Sequence, residues 1–330
     1  MTLPLTKPSK ELSVAFSSRE GLTFLPEAKE YPATVAGRVA HIDADFIAYH
    51  ATYEREGEHR TIDDMVLAMH TMVDKLRRSC GAERAHVHMT PQGSNKGGRY
   101  EVALQKAYQS TRSSDRKPEH LETVRDLVVH SPPAHCAGTA WMSAEADDGM
   151  AQAAWAAYAA GTSDLCVIAS RDKDLRIAPG LHFNADTGEI EGAEGTFGYI
   201  EVLTTTKRSE QTGKVSKTHK PRGYGTKFFW WQMLMGDSAD SIPGIPRCGI
   251  VSAADMLQGC DNDYDCLHVV KEAYKSYGSN TGFVHWETKE PVPWAKAFVA
   301  SAQLLWMQRT AGDIDDVRNW MKEIITCANK

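Results

Sequence analysis

Four short carboxylate clusters punctuate the chain. They are Asp43 and Asp45 in His41-Ile-Asp-Ala-Asp-Phe46, Glu145, Asp147 and Asp148 in Glu145-Ala-Asp-Asp-Gly149, Asp172 and Asp174 in Ser170-Arg-Asp-Lys-Asp174, and Asp237 and Asp240 in Gly236-Asp-Ser-Ala-Asp240. Each alone fits cap or turn chemistry, because acids favour helix starts and form turns after strands. Their conjunction asks for more. If the fold gathers them at one edge, like charges near 4 Å repel by roughly 4 kcal/mol per pair at an effective dielectric near 20. Divalent cations relieve that repulsion, and hard oxygen donors without His or Cys suit Mg²⁺ or Mn²⁺ better than zinc. Two such ions about 4 Å apart can activate water and stabilise both oxygens of an in-line phosphoryl displacement, so phosphodiester hydrolysis is the natural chemistry.

The elements that must position these acids follow from periodicity. A strand is expected at Arg38–Ile42, which puts Asp43 at the sheet's carboxyl edge. Thr61 can cap a helix carrying Met65, Met69, Met72, Val73 and Leu76, with Asp63 and Asp64 in its first turn. Ala85–Met89 reads as a strand, and Leu121, Val124, Leu127 and Val128 mark an amphipathic stretch. Ser143 is a candidate cap for an Ala-rich helix from about Glu145 to Ala160, with Glu145 and Asp148 on one face. Leu165–Ser170 reads as a buried strand. Alternating strands and helices imply an α/β fold with a mainly parallel sheet, whose ligands belong at the strands' carboxyl ends. A hairpin is expected around Phe183–Ile190, then a basic surface loop over 204–227. The rest, 228–330, reads as helical, with one helix near Ser301–Gln308. Residues 1–37 lack periodicity and read as an extension preceding a 38–203 domain.

The chain has 330 residues, 42% hydrophobic and 24% charged, enough for one large α/β domain with a helical part or for two modest domains. No apolar run approaches the roughly 20 residues that cross a bilayer, and no signal peptide is evident. Seven scattered cysteines indicate neither a disulfide framework nor a zinc site, and point to a reducing, cytoplasmic setting. Cys166 is expected in the core, and the histidines look dispersed. The net charge of −6 hides two basic stretches, about +4 over Lys96–Lys117 and about +6 over Lys207–Lys227. Such stretches suit nucleic acid. Trp230 and Trp231 are expected to pack rather than to stack on bases.

The segment from Gly236 through Asp237, Asp240, Ile242-Pro-Gly-Ile-Pro246 and Arg247 to Gly249, followed by Ala253 and Ala254, resembles the helix-three-turn-helix signature of 5′ nucleases. With the carboxylate clusters before it, in this order, the pattern over roughly 38–260 resembles the flap endonuclease superfamily, phage 5′-to-3′ exonucleases in particular. The resemblance implies a PIN-like domain and a helix-three-turn-helix over about 236–257. It implies two divalent ions held directly or through water by Asp43, Glu145, Asp147, Asp148, Asp172, Asp174, Asp237 and Asp240, the first six being catalytic. The substrate implied is DNA at 5′ ends or flaps, with RNA–DNA hybrids a further candidate, cut to leave a 5′-phosphate. Gly244, Arg247 and Gly249 would grip duplex backbone through main-chain amides, with K⁺ as a possible aid. The segment of about 91–118 resembles the family's arch, so Lys96, Arg99, Tyr100, Lys106, Tyr108, Arg112, Arg116 and Lys117 are expected to guide phosphates or stack on a terminal base. A plainer reading of that segment is a solvated helix face with a tyrosine packed inward.

The chain departs from the pattern at Thr90-Pro91, where relatives carry an acid, at Gln109 and Val251, where lysine is frequent, and at Arg247, where glycine is frequent. A catalytically inactive DNA-binding accessory is one alternative. A haloacid-dehalogenase-type phosphatase built on Asp43-Ala-Asp45 is another, but it leaves the Glu145–Asp148 and Gly236–Gly249 motifs unused. The resulting expectation is a monomeric, stand-alone enzyme without membrane contact, acting in phage replication, recombination or primer removal.

Overall fold

The structure is a computed structural model that describes residues 30–54, 59–110, 117–193, 195–208, 213 and 215–328. In chain order the elements are β1 (Val35–Asp43), α1 (Ala44–Thr52), α2 (Ile62–Ser79), β2 (Ala82–Met89), a short α3 (Arg99–Val102), α4 (Leu121–His130), β3 (Cys136–Ala140), α5 (Ala146–Ala159), β4 (Cys166–Ala169), β5 (Gly180–Asn184) and β6 (Glu189–Ala193). There follow β7 (Tyr199–Arg208), β8 (Val215–Tyr224), α6 (Thr226–Met235), β9 (Gly236–Asp237), β10 (Ile242–Pro243), α7 (Ile250–Met256), α8 (Asp263–Asn280), β11 (Phe283–Val284), β12 (Pro291–Val292), α9 (Trp294–Leu305) and α10 (Asp316–Ala328).

The central sheet has the order β3-β2-β1-β4-β5-β6, parallel except for β6. β1 is the hinge of this order. The chain leaves it towards β2 and β3 on one side and returns through α5 to β4 on the other, so a crevice opens at the carboxyl ends of β1 and β4. Register fixes which side chains reach it: Ala40 lies beside Ala85 and Val167, Ile42 beside Val87 and Ala169. Asp43 is therefore the first residue beyond the apolar part of the strand.

One core layer joins the sheet to α1, α2 and α4 through Ile42, Ile47, Met69, Val73, Val87, Val124 and Val128. The other joins Ile168 and Met150 to the C-terminal helices, where Phe229, Trp230, Trp231, Trp306 and Trp320 form an aromatic block. Both Trp230 and Trp231 are fully buried. α2 begins with a capping box, Thr61 Oγ1 accepting from Asp64 N while Asp64 accepts from Thr61 N.

Four sequence expectations change. The sheet starts at Val35, inside the segment assigned to an N-terminal extension. α5 is capped by Glu145, not Ser143: the Asp148 carboxylate accepts from Glu145 N, closing a reciprocal box. The stretch expected as a basic loop is an antiparallel ribbon, paired from Tyr199↔Tyr224 to Arg208↔Val215. Its threonines and valines favour extended backbone, while the interspersed lysines disguise the alternation. The helix expected at Ser301–Gln308 is α9, which ends at Leu305. The Phe183–Ile190 hairpin is β5–β6. Among the described residues all cysteines are free, Cys166 is buried, and no helix is long and apolar enough to cross a membrane.

Candidate active site

A cleft of about 600 Å³ opens at the carboxyl edge of the sheet, lined by Asp43, Asp45, Glu145, Asp147, Asp172, Asp174 and Asp240 together with Lys96, Tyr100, Lys117 and Arg125. The acids arrive from separate elements. Asp43 caps α1, its Oδ1 accepting from Asp45 N at 3.0 Å and Phe46 N at 3.2 Å, while Ser170 Oγ donates to its Oδ2 at 3.3 Å. Asp172 follows β4 and caps a short 3₁₀ turn, accepting from Asp174 N at 2.8 Å. Glu145 and Asp147 come from the start of α5. Asp240 comes from the turn after α6.

Withdrawal from water pushes Asp43 up to about 7, helped by the charges of Asp45 and Asp172. Burial likewise raises Asp147 well above the usual carboxylate range, with Asp172, Asp43 and Glu145 adding repulsion. Asp172 and Asp174 rise for the same first reason. Glu145 is raised by burial and held back by Arg99. Asp237 behaves differently: burial opposes ionisation, but hydrogen bonding with Asp174 and Lys173 holds it below the usual range. Lys173 Nζ lies 2.6 Å from Asp237 and 3.3 Å from Asp174, whose Oδ1 also accepts from Gln232 at 2.5 Å. Asp237 thus sits buried behind the cleft as Lys173's partner, not on its wall.

Among the described residues no three His, Cys, Asp or Glu side chains stand close enough together to grip one ion. The donor set still fits divalent cations. Five carboxylates are driven upward by desolvation and mutual repulsion, an imbalance that a hard cation corrects.

The same shifts give a pH prediction in EDTA. Raised carboxyls stabilise the fold at low pH and lose that contribution as pH rises through their folded values, about 7 for Asp43. His41 and His182, lowered to about 4 from 6.5 by burial, act oppositely, losing stability as pH falls below 6.5. The two sets oppose each other below pH 6.5, and above it the carboxyls act alone. The metal-free Tm should therefore fall between about pH 6.5 and 8.5, and Mg²⁺ should lift it far more at the alkaline end. A flat, Mg²⁺-insensitive Tm across that range contradicts the charge imbalance.

Three further expected site residues are reassigned. Asp148 is fully buried and forms a bidentate pair with Arg99, at 2.8 and 2.7 Å, while also accepting from Gln308 N. Arg99 is equally buried and donates further to Trp306 O at 2.9 Å. This pair ties α3 to α5 and to the α9–α10 connection, so neither partner faces a ligand. Tyr108, expected as a stacking ring, is also inward: its hydroxyl donates to Glu145 Oε2 at 2.8 Å, and burial raises it well above the usual phenol range. Tyr100, half exposed and edge-on to Tyr108, is the ring open to the cleft.

Lys96 and Lys117 line the cleft, Lys106 is exposed, and Arg112 and Arg116 lie outside the described residues. Lys96 Nζ contacts the Gln109 amide and lies 3.5 Å from Glu145. Lys96 thus stands beside Gln109 within the same basic segment. In the turn from Gly236 to Gly249, Gly244 is required by close packing, since a Cβ would lie 2.3 Å from Met235 C. Arg247 adopts a left-handed φ of 68°, where glycine is favoured, and its side chain is exposed.

Sequence reasoning passed over several residues. Arg125 binds Asp45 at 2.6 Å and Glu122 at 3.0 Å, and also contacts Thr90 O. It thereby ties Asp45 to the Thr90 segment. Its signal was a charge one turn after Leu121 on the helix's apolar face. The histidines are not all dispersed: His41 Nδ1 lies 3.0 Å from His88 Nε2, Trp141 Nε1 donates to His88 Nδ1 at 3.1 Å, and His86 stacks alongside. Period-two spacing of His86 and His88 on one strand was the signal. Trp141 approaches so closely that a Cβ on Gly149 would lie 2.3 Å from its ring.

No protein-family model and no curated protein matches the chain. Solved structures do. The T5 D15 protein co-crystallised with metal ions superimposes with a TM-score of 0.50 at 13% identity, over 88% of this chain and 98% of that one. A bacteriophage T5 D15 flap endonuclease variant in a pseudo-enzyme–product complex with DNA and metal ions gives 0.43 at 13% over 89% and 100%, and a T5 5′-exonuclease mutant 0.38 at 14% over 88% and 98%. The chain has a PIN-like α/β fold, shared with the T5 D15 protein.

Proposed function

We propose that the chain is a metal-dependent 5′-to-3′ nuclease that hydrolyses phosphodiester bonds at DNA 5′ ends or flaps. The carrying observation is the set of raised carboxylates at the switch-point crevice, Asp43 and Asp147 foremost, rimmed by Lys96, Lys117 and Tyr100. The T5 D15 protein, which shares the fold, was co-crystallised with metal ions. Asp43, Glu145, Asp147, Asp172, Asp174 and Asp240 would hold divalent cations here, Mg²⁺ or Mn²⁺ by donor type. Such ions, when bound, polarise the scissile phosphate and lower the pKa of water.

The chain's own residues complete the site. Lys96 and Lys117 attract the phosphate backbone, and the amino end of α5 adds its dipole in the same sense. Tyr108 holds Glu145, and Lys173 holds Asp237 against Asp174, so the acids keep their orientation before substrate arrives. Tyr100 offers a face for a terminal base. The turn carrying Gly244, Arg247 and Gly249 would grip duplex backbone, with K⁺ as a further ligand of its carbonyls. The reading includes a monomeric enzyme of phage replication or recombination, with RNA–DNA hybrids as second substrates.

Digestion of 5′-labelled duplex and flap DNA with Mg²⁺, Mn²⁺ or EDTA tests it. Metal-dependent release of short 5′-labelled products is expected. Protein that binds both substrates and cuts neither with either metal is instead a DNA-binding accessory.

A further inference from the structure

The β7–β8 ribbon carries Lys207, Arg208, Lys217, Lys220 and Arg222, all exposed, against the single acid Glu201. That is about +4 on two strands of a chain whose net charge is −6. Arg222 has a loose partner in Glu191 at 3.9 Å, while Lys207, Lys217 and Lys220 have no ion-pair partner among the described residues. Register distributes the charges: Lys207, Lys220 and Arg222 project from one face, Arg208 and Lys217 from the other. Edge lysines can serve simply to block strand-to-strand aggregation. That purpose does not require positive charge on both faces.

A groove with a phosphate wall on each side does. The duplex major groove is about 12 Å wide and admits a two-stranded ribbon. Ten residues per strand span about 33 Å, close to one duplex turn. The ribbon's surroundings point the same way. α7, which follows the Gly244–Gly249 turn, packs against both strands. At the base, Tyr224 shares a pocket of about 130 Å³ with Arg171 and with Asp172, the latter also a lining residue of the acidic cleft.

We propose that the β7–β8 ribbon is a duplex-binding arm that lies along a DNA groove and neutralises phosphates on both walls. The inference rests on the nuclease reading, and it adds a binding element outside the cleft and the Gly244–Gly249 turn.

The test compares wild-type protein with a variant carrying Lys207→Thr, Arg208→Thr, Lys217→Thr and Lys220→Thr. Threonine keeps the ribbon's strand propensity. Binding to a duplex and to a single strand of equal length is measured in EDTA from 50 to 200 mM KCl. Removing four phosphate contacts should flatten the duplex log Kd–log salt slope by about 3 to 4, so that wild type loses about 100-fold more affinity across the range than the variant. A charge-preserving variant with Lys207→Arg, Arg208→Lys, Lys217→Arg and Lys220→Arg should keep the wild-type slope, with circular dichroism confirming the fold of all three. Coincident slopes for wild type and the threonine variant overturn the proposal. So does a loss of slope on single strands as large as on duplex. If wild type still cuts 5′-labelled duplex, those results sink the ribbon's role alone, whereas wild type that neither binds nor cuts DNA removes the nuclease reading beneath it.

Discussion

Asp147→Asn should reduce metal-dependent cleavage on the order of 10³-fold, about 4 kcal/mol of transition-state stabilisation, and at the same time raise the Tm of the metal-free protein at pH 8 by a few degrees. Both effects come from one cause. Asp147 is raised well above the ordinary range by burial first and by repulsion from Asp172, Asp43 and Glu145. A neutral isostere removes the strain and with it the ligand proposed for the cation. Natural sites trade stability for activity in this way. Thermal melts in EDTA and cleavage of labelled DNA in Mg²⁺ read the two halves. A Tm that falls with cleavage intact would make Asp147 an ordinary buried hydrogen-bonding acid.

The second large effect is on the fold. Arg99→Ala strands the Asp148 carboxylate, which is fully buried and otherwise fixed by the 2.7 and 2.8 Å arms of the guanidinium. Leaving one member of a buried pair unmatched costs about 3–5 kcal/mol. The loss should appear as a lowered denaturant midpoint with little change in m. Arg99→Lys keeps the charge and loses the planar fork, so an intermediate loss is expected. Unchanged stability accompanied by weaker DNA binding would restore Arg99 to the exposed, phosphate-guiding role that the sequence suggested.

That reassignment shows where legibility ended. Asp43, Asp147 and Asp172 could be placed from local signals, because each follows a strand or opens a helix, and strand ends are set by short apolar runs. The parallel sheet was legible for the same reason. Whether a charge faces a ligand depends on what meets it in space. Arg99 and Asp148 are 49 positions apart, Arg125 and Asp45 80, and Lys173 and Asp237 64. No periodicity within one element reveals those partners. Lys173, given no role by the sequence, is the cation that orients Asp174 and Asp237. The ribbon was hidden differently, since lysines on both faces erase the apolar–polar alternation by which strands are read. Arg247 was visible as a departure, but its meaning needed the backbone, which bends left-handed there.

The most direct test of the central claim is single-turnover digestion of 5′-labelled duplex DNA by wild type and Asp172→Ala, each with Mg²⁺ and with EDTA. Asp172 follows β4 at the crevice and repels Asp43 and Asp147, so cation binding should fail first where it is removed. The account predicts early short 5′-labelled products from wild type in Mg²⁺ alone, and their loss in the variant while duplex binding persists. Cleavage that continues in EDTA, or that survives Asp172→Ala undiminished, would contradict a metal-dependent carboxylate site.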